Sequence, residues 1–216
     1  RDRFMICAKL LTREWFFPTS IWWRKKAAKA GISTLRMTVS VKKTYKKRTG
    51  GIFMRREAVI TSSDSGYAGE REDMSAPVIC EILEKAGYQI TYKILLPDER
   101  GMLSREMARL ADEDTADLIL TTGGTGFSPR DCMPEATMDI CERQVPGIPE
   151  AMRAYSMQIT KRAMLSRQAA GIRKKALIIN LPGSPKAVRE CLEYILPELG
   201  HGLDILQETA HNCART

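Results

Sequence analysis

The sequence predicts an α/β fold with a mostly parallel sheet covered by helices on both faces. Three observations carry this. Short apolar, β-branched runs alternate with segments whose apolar residues recur at helical spacing. The runs are separated by stretches of ~10–15 residues, the length of a βαβ crossover. Each run also ends in a polar or glycine-bearing loop, where open α/β sheets bind ligands.

The elements follow in chain order. Residues 58–62 read as a strand that ends in the loop Ser63-Asp64-Ser65-Gly66-Tyr67-Ala68-Gly69. Residues 75–88 place Val78, Ile79, Ile82, Leu83 and Ala86 on one helical face and stop near Gly87. A strand over 89–95 ends at Pro97-Asp98-Glu99, and a helix over 101–111 carries Met102, Leu103, Met107 and Leu110. The strand 117–122 runs into Gly123-Gly124-Thr125-Gly126, after which helices are expected near 136–143 and 149–159. The most continuous strand signal, 175–181, delivers Pro182-Gly183-Ser184-Pro185 into a helix over 186–196. Ser184 suits its N-cap and Pro185 its first turn. One domain accounts for residues 54 to about 206. Met102, Met107, Met138 and Met152 read as core filler.

Charge is unevenly spread. Residues 1–53 hold 14 Lys/Arg against 2 Asp/Glu, while residues 54–216 hold 20 against 24. The basic balance therefore belongs to the first segment and is poor support for a nucleic-acid partner. That segment reads either as a basic, disordered partner-binding arm or as sequence translated from DNA upstream of a natural start at Met54. The second reading is favoured, because Gly50-Gly51 can be encoded by a purine-rich ribosome-binding sequence. The six cysteines form no Cys-x-x-Cys, and with His201 and His211 the only histidines a structural zinc site is not expected. Scattered thiols suit a reducing, cytoplasmic setting. No apolar run reaches the roughly 18–20 residues that span a bilayer, so no membrane partner is expected.

Residues 118–137 carry the chemistry. A buried strand delivers glycines that allow positive φ and close approach of backbone N–H groups to phosphate oxygens. The Pro-Glu that follows suits the first turn of a helix. Taken alone, the same stretch also serves a strand-to-helix turn that binds nothing. The four strand-end loops together offer two glycine turns and several isolated carboxylates. That set suggests a phosphate-bearing ligand with a divalent cation, and Mg²⁺ fits because it is held by one or two carboxylates plus phosphates and water.

These residues resemble the MogA/MoaB family of molybdenum-cofactor biosynthesis proteins. The likeness rests on Ser63-Asp64-Ser65-Gly66-Tyr67-Ala68-Gly69-Glu70-Arg71-Glu72-Asp73, Pro97-Asp98-Glu99, Thr121-Thr122-Gly123-Gly124-Thr125-Gly126 and Arg130-Asp131. It continues through Pro134-Glu135-Ala136-Thr137, Leu165-Ser166-Arg167 and Asn180-Leu181-Pro182-Gly183-Ser184-Pro185-Lys186, covering about residues 54–206. The resemblance implies a three-layer α/β/α molybdopterin-binding fold, assembly as a homo-trimer or hexamer, and a cytoplasmic enzyme. It implies adenylylation of molybdopterin by Mg²⁺·ATP with release of pyrophosphate, and a possible downstream molybdenum-insertion partner. The family's catalytic aspartates fall on Asp98 and Asp131, both assigned to Mg²⁺. Asp64, Gly123, Gly124, Thr125, Gly126, Gly183 and Ser184 are assigned to substrate.

Each assignment has a plain structural alternative. Asp98 could only initiate a turn, Asp131 only pair with Arg130, and Ser184 only cap its helix. The chain has Cys132-Met133 where the family has Val-Thr, and Met74 where Lys is common. Those departures favour the alternative of a catalytically weak molybdopterin-binding or scaffold protein, whereas retention of Asp98 and Asp131 favours the enzyme. Cys132 reads as a small packing residue.

Overall fold

The computed structural model describes residues 55–209; the expectations for residues 1–53 lie outside them. Six strands form one sheet: β1 (Arg56–Ser62), β2 (Gln89–Leu96), β3 (Leu118–Thr122), β4 (Arg143–Gln144), β5 (Ala170–Arg173) and β6 (Ala176–Leu181). Their order is β2-β1-β3-β6-β5-β4. The first four in that order run parallel, while β5 is antiparallel to β6 and β4 antiparallel to β5. Every residue of β3 and β6 is buried, as expected for central parallel strands covered on both faces.

The helices are α1 (Asp64–Tyr67), α2 (Ser75–Lys85), α3 (Arg100–Asp112), α4 (Met133–Met138), α5 (Gly147–Ile159) and α6 (Pro185–Leu206), with a 3₁₀ turn at Lys161–Leu165. Alternation along the strands sends side chains to two cores. Val59, Leu118, Leu120 and Ile179 pack with Ile79 and Leu83 of α2, Met152 of α5, and Leu192 and Ile195 of α6. Their neighbours Ala58, Ile60, Ile119 and Ile178 pack on the other face with Leu103, Met107 and Leu110 of α3 and with Met133 and Ala136 of α4. The result is three layers.

The expected elements differ from the structure in several places, beginning with the one-turn helix α1 inside the stretch expected to be a loop. The helix expected near 136–143 is α4, which starts earlier because Pro134 occupies its first turn. Residues 143–144 then pair with β5 instead of continuing the helix. β5 itself is absent from the expected set, since four residues show no measurable period. It forms a hairpin with β6 through residues 174–175, with Lys174 at φ 50°. The last helix, expected to stop at 196, runs to Leu206 through Pro197. Buried Leu199 and Leu203 extend its apolar stripe past the proline, and that packing outweighs the lost backbone bond.

Buried polar groups mark the two ends of the sheet. Asn180 on β6 donates from Nδ2 to Thr121 Oγ1 (2.9 Å) and Thr137 Oγ1 (2.7 Å) and accepts from the Ala169 amide at 3.2 Å. This ties β3, α4 and the approach to β5 together beneath the loop that follows β3. At the start of β1, Glu57 is fully buried and neither carboxylate oxygen has a hydrogen-bond partner among the described residues.

Candidate functional site

The chain steps from β1 outward to β2, then returns past β1 to β3 on its other side. The carboxyl ends of β1 and β3 therefore flank a crevice at a point where the winding reverses, the usual ligand position in such sheets. A cavity of about 230 Å³ lies there, with walls from Ser62, Ser63, Arg71, Asp73, Met74, Asp98, Gly123, Gly124, Asp131 and Gly183 among others. All four expected strand-end loops meet at it.

Asp98, directly after β2, is held on both sides. Its Oδ1 accepts from Ser62 Oγ at 2.5 Å and its Oδ2 from the Asp64 amide at 3.0 Å. Asp64 returns the contact, its Oδ1 accepting from the Asp98 amide at 3.0 Å. The first and second strand-end loops are thereby stitched together. Asp131 sits across the loop that follows β3, where its Oδ2 accepts from the Ser128 amide at 2.9 Å.

The glycines leave the space these carboxylates need. A Cβ at Gly124 would lie 3.1 Å from Asp98 Oδ1, and one at Gly126 would lie 2.8 Å from Asp131 Oδ2. Gly123 adopts φ 91° and Gly124 φ 62°, and a Cβ on Gly123 would fall 2.1 Å from the Ser62 carbonyl. The β1 and β3 loops therefore touch through Gly123, and no other residue type fits. Among the described residues, no backbone carbonyl takes the amides of residues 124–127. Such free amides suit an anion.

Arg130 does not pair with its neighbour Asp131. Its guanidinium forks onto Asp64 (2.9 and 3.0 Å) and reaches Glu99 at 3.0 Å, strapping the first three loops together on the exposed rim. Hydrogen bonding to Arg130 holds the Asp64 carboxyl below its ordinary value, with burial opposing. Asp64 is thus occupied by Arg130 and Asp98, and it lies beside the cavity rather than in its wall. Thr125, Gly126 and Ser184 also lie outside the wall, whereas Gly123, Gly124 and Gly183 are in it. Ser184 caps α6, its Oγ accepting from the Ala187 amide at 3.2 Å.

Several residues at the site are not singled out by the sequence. Asp73 accepts from Thr61 Oγ1 at 2.6 Å and, through Oδ1, from the amides of Ser75 (2.9 Å) and Ala76 (3.1 Å), fixing the start of α2. Ser75 Oγ donates to the Gly183 carbonyl at 2.9 Å, and Thr122 Oγ1 to the Pro182 carbonyl at 2.6 Å, anchoring the fourth loop. Of the two methionine departures, Met74 stands in the cavity wall while Met133 is fully buried, its amide donating to the Gly124 carbonyl at 3.1 Å. Burial pushes the Cys132 thiol up, as expected for a packing residue.

Residues 58–201 match the profile of a family described as a probable molybdopterin binding domain. The chain belongs to this family. It is 42% identical over 152 residues to a protein named molybdopterin adenylyltransferase from Helicobacter pylori, covering 68% of this chain and 85% of that one. A molybdopterin adenylyltransferase of Escherichia coli is 40% identical over 141 residues, covering 64% and 72%. Among solved structures, the molybdopterin biosynthesis enzyme MoaB of Thermus thermophilus superposes with a TM-score of 0.68 at 45% identity, covering 72% of this chain and 98% of that one. The family's MoaB and MogA members thus share the three-layer fold described above. No helix among the described residues is long and apolar enough to cross a membrane.

Proposed function

We propose that this protein adenylylates molybdopterin, with ATP as the second substrate and pyrophosphate as the leaving group. A terminal phosphate oxygen of the pterin attacks the α-phosphorus of ATP, a new P–O bond forms, and the α–β bridging P–O bond breaks. Such chemistry depends on positioning and charge neutralisation more than on covalent help. The supporting observation is that Asp98 and Asp131 face one cavity beside a glycine loop whose amides take no backbone carbonyl. The two relatives reported above carry names that state this activity.

Among the described residues, no group of three or more His, Cys, Asp or Glu is arranged to hold a metal ion alone. Two carboxylates in one wall nevertheless suit Mg²⁺, which draws its remaining ligands from substrate phosphates and water. Asp98 and Asp131 would hold it, and it would supply charge neutralisation at the transferring phosphoryl group. Ser62 and the Asp64 amide fix Asp98 in one orientation, and Ser128 does the same for Asp131. Gly123 and Gly124 allow the phosphates to approach the backbone, and Gly183 packs beside Gly123, where a Cβ would lie 3.4 Å from the Gly123 Cα. Self-association as a trimer or hexamer is part of the same reading, with the apolar groove between α5 and α6 the surface available for it. Light scattering tests that part, and a monomer would remove it.

The deciding experiment supplies the full chain with molybdopterin, ATP and Mg²⁺ and follows pyrophosphate together with the adenylylated pterin. Product that requires both pterin and metal supports the reading. Tight pterin binding without product would overturn it.

A further inference from the structure

Arg167 touches no wall of the cavity, yet it holds the loop that does. It lies just beyond the 3₁₀ turn, and its amide donates to the Thr125 carbonyl at 3.0 Å. Its side chain reaches three further acceptors: Nε donates to the Gly126 carbonyl at 2.7 Å, Nη2 to the Asp131 carbonyl at 2.7 Å, and Nη1 to the Glu135 carboxylate. One residue therefore ties both ends of the 125–131 segment to the first turn of α4. Only a planar fork with several fixed donors can meet acceptors so arranged; a lysine ammonium is a single point charge.

A trans peptide directs each N–H opposite to the carbonyl before it. Drawing the Thr125 and Gly126 carbonyls toward Arg167 turns the amides of Gly126 and Phe127 the other way, and neither finds a backbone acceptor among the described residues. The third contact lies on the peptide of Asp131 itself, one bond from the Cα that carries its carboxylate. We infer that Arg167 is a positioning residue: it presets the glycine loop and Asp131 for the phosphates and the cation without touching either. This rests on the adenylyl-transfer reading for its catalytic consequence, but the positioning itself is a property of the free protein.

The two can be tested separately. Hydrogen exchange of the free full-length protein reads the segment 123–133, where the amides of Ser128, Asp131 and Met133 have acceptors to lose. In Arg167→Lys and Arg167→Ala, exchange in that segment should accelerate about tenfold or more while β1, β3 and α6 keep their protection. Turnover should fall ~10²-fold in kcat with the KM for molybdopterin changed by less than about threefold, and added guanidinium should partly restore Arg167→Ala. Glu135→Gln, which leaves both carbonyl contacts in place, should lose much less. Unchanged exchange in the 123–133 segment, or faster exchange throughout the domain, overturns the inference. So does a Glu135→Gln loss equal to that of Arg167→Lys, since the ion pair alone would then explain it. A wild-type chain that makes no adenylylated pterin removes the proposed function instead, and the exchange data still judge the strut.

Discussion

The two ends of β1 handle buried polarity in opposite ways. At its carboxyl end Ser62 and the Asp64 loop are engaged with Asp98, and the neighbouring Asn180 node satisfies its amide with three partners. At its amino end Glu57 is equally buried, yet its carboxylate has no hydrogen-bond partner among the described residues, and burial pushes its pKa up to about 9, with nearby Arg55 opposing. A polar group that is buried and satisfied specifies a geometry; one that is buried and unpartnered costs stability. The carboxyl end has the organised polarity, and that is where the cavity lies.

The contrast can be broken from either side. The largest effect belongs to the site: Asp98→Ala and Asp131→Ala should each lower turnover ~10²–10³-fold in the pyrophosphate assay. Full turnover in both would remove the two aspartates from the chemistry.

At the other end, Glu57→Met should stabilise the fold, and the gain should depend on pH. Glu57 has a folded pKa above its unfolded value, so its share of stability is present below the ordinary carboxylate range and is lost as pH rises toward about 9. At pH 7 that loss is on the order of 3 kcal/mol, so the variant's advantage in urea denaturation should grow between about pH 4.5 and 9 and then level off. A gain independent of pH would show that Glu57 is not held neutral in the native state.

Asn180→Ala should do the reverse and cost about 2 kcal/mol, because it leaves Thr121 and Thr137 hydroxyls and the Ala169 amide without their partner in a dry interior. Urea denaturation at neutral pH measures it. The smallest effect is expected at the rim of the cavity. Met74 is more than half exposed there, so Met74→Lys adds a solvated cation and should tighten binding of the phosphorylated pterin only about threefold at low salt. Titration calorimetry at two ionic strengths would show it, with the gain shrinking as salt rises.

What can be read from the chain alone follows from how local each signal is. β3 and β6 announce themselves because a strand buried on both faces carries a near-continuous apolar run, and Ser184-Pro185 announces α6 because capping is decided within four residues. Asp98 and Asp131 are legible through the short motifs around them, and both line one cavity. β5 is silent because its pairing with β6 is decided by the hairpin rather than by its own four residues. Nothing near Asp64 in sequence shows that Arg130, 66 residues away, holds it. Arg167 stands in the Leu165-Ser166-Arg167 motif, but its side-chain contacts lie 32 to 41 residues upstream. Roles created by tertiary geometry leave no local trace.

The strand order also dictates when the molecule can become competent. Among the described residues β6 is the last strand to be synthesised, yet it lies between β3 and the β5–β4 pair. Until residues 176–181 emerge from the ribosome, the edge of strand Leu118–Thr122 that β6 will cover is open and the β5–β4 pair has no link to the rest of the sheet. Asn180 and the Gly183 wall arrive with that same strand. A nascent chain therefore carries both aspartates long before it carries a pocket, and a truncation before β6 should leave an adhesive edge rather than a weakened enzyme.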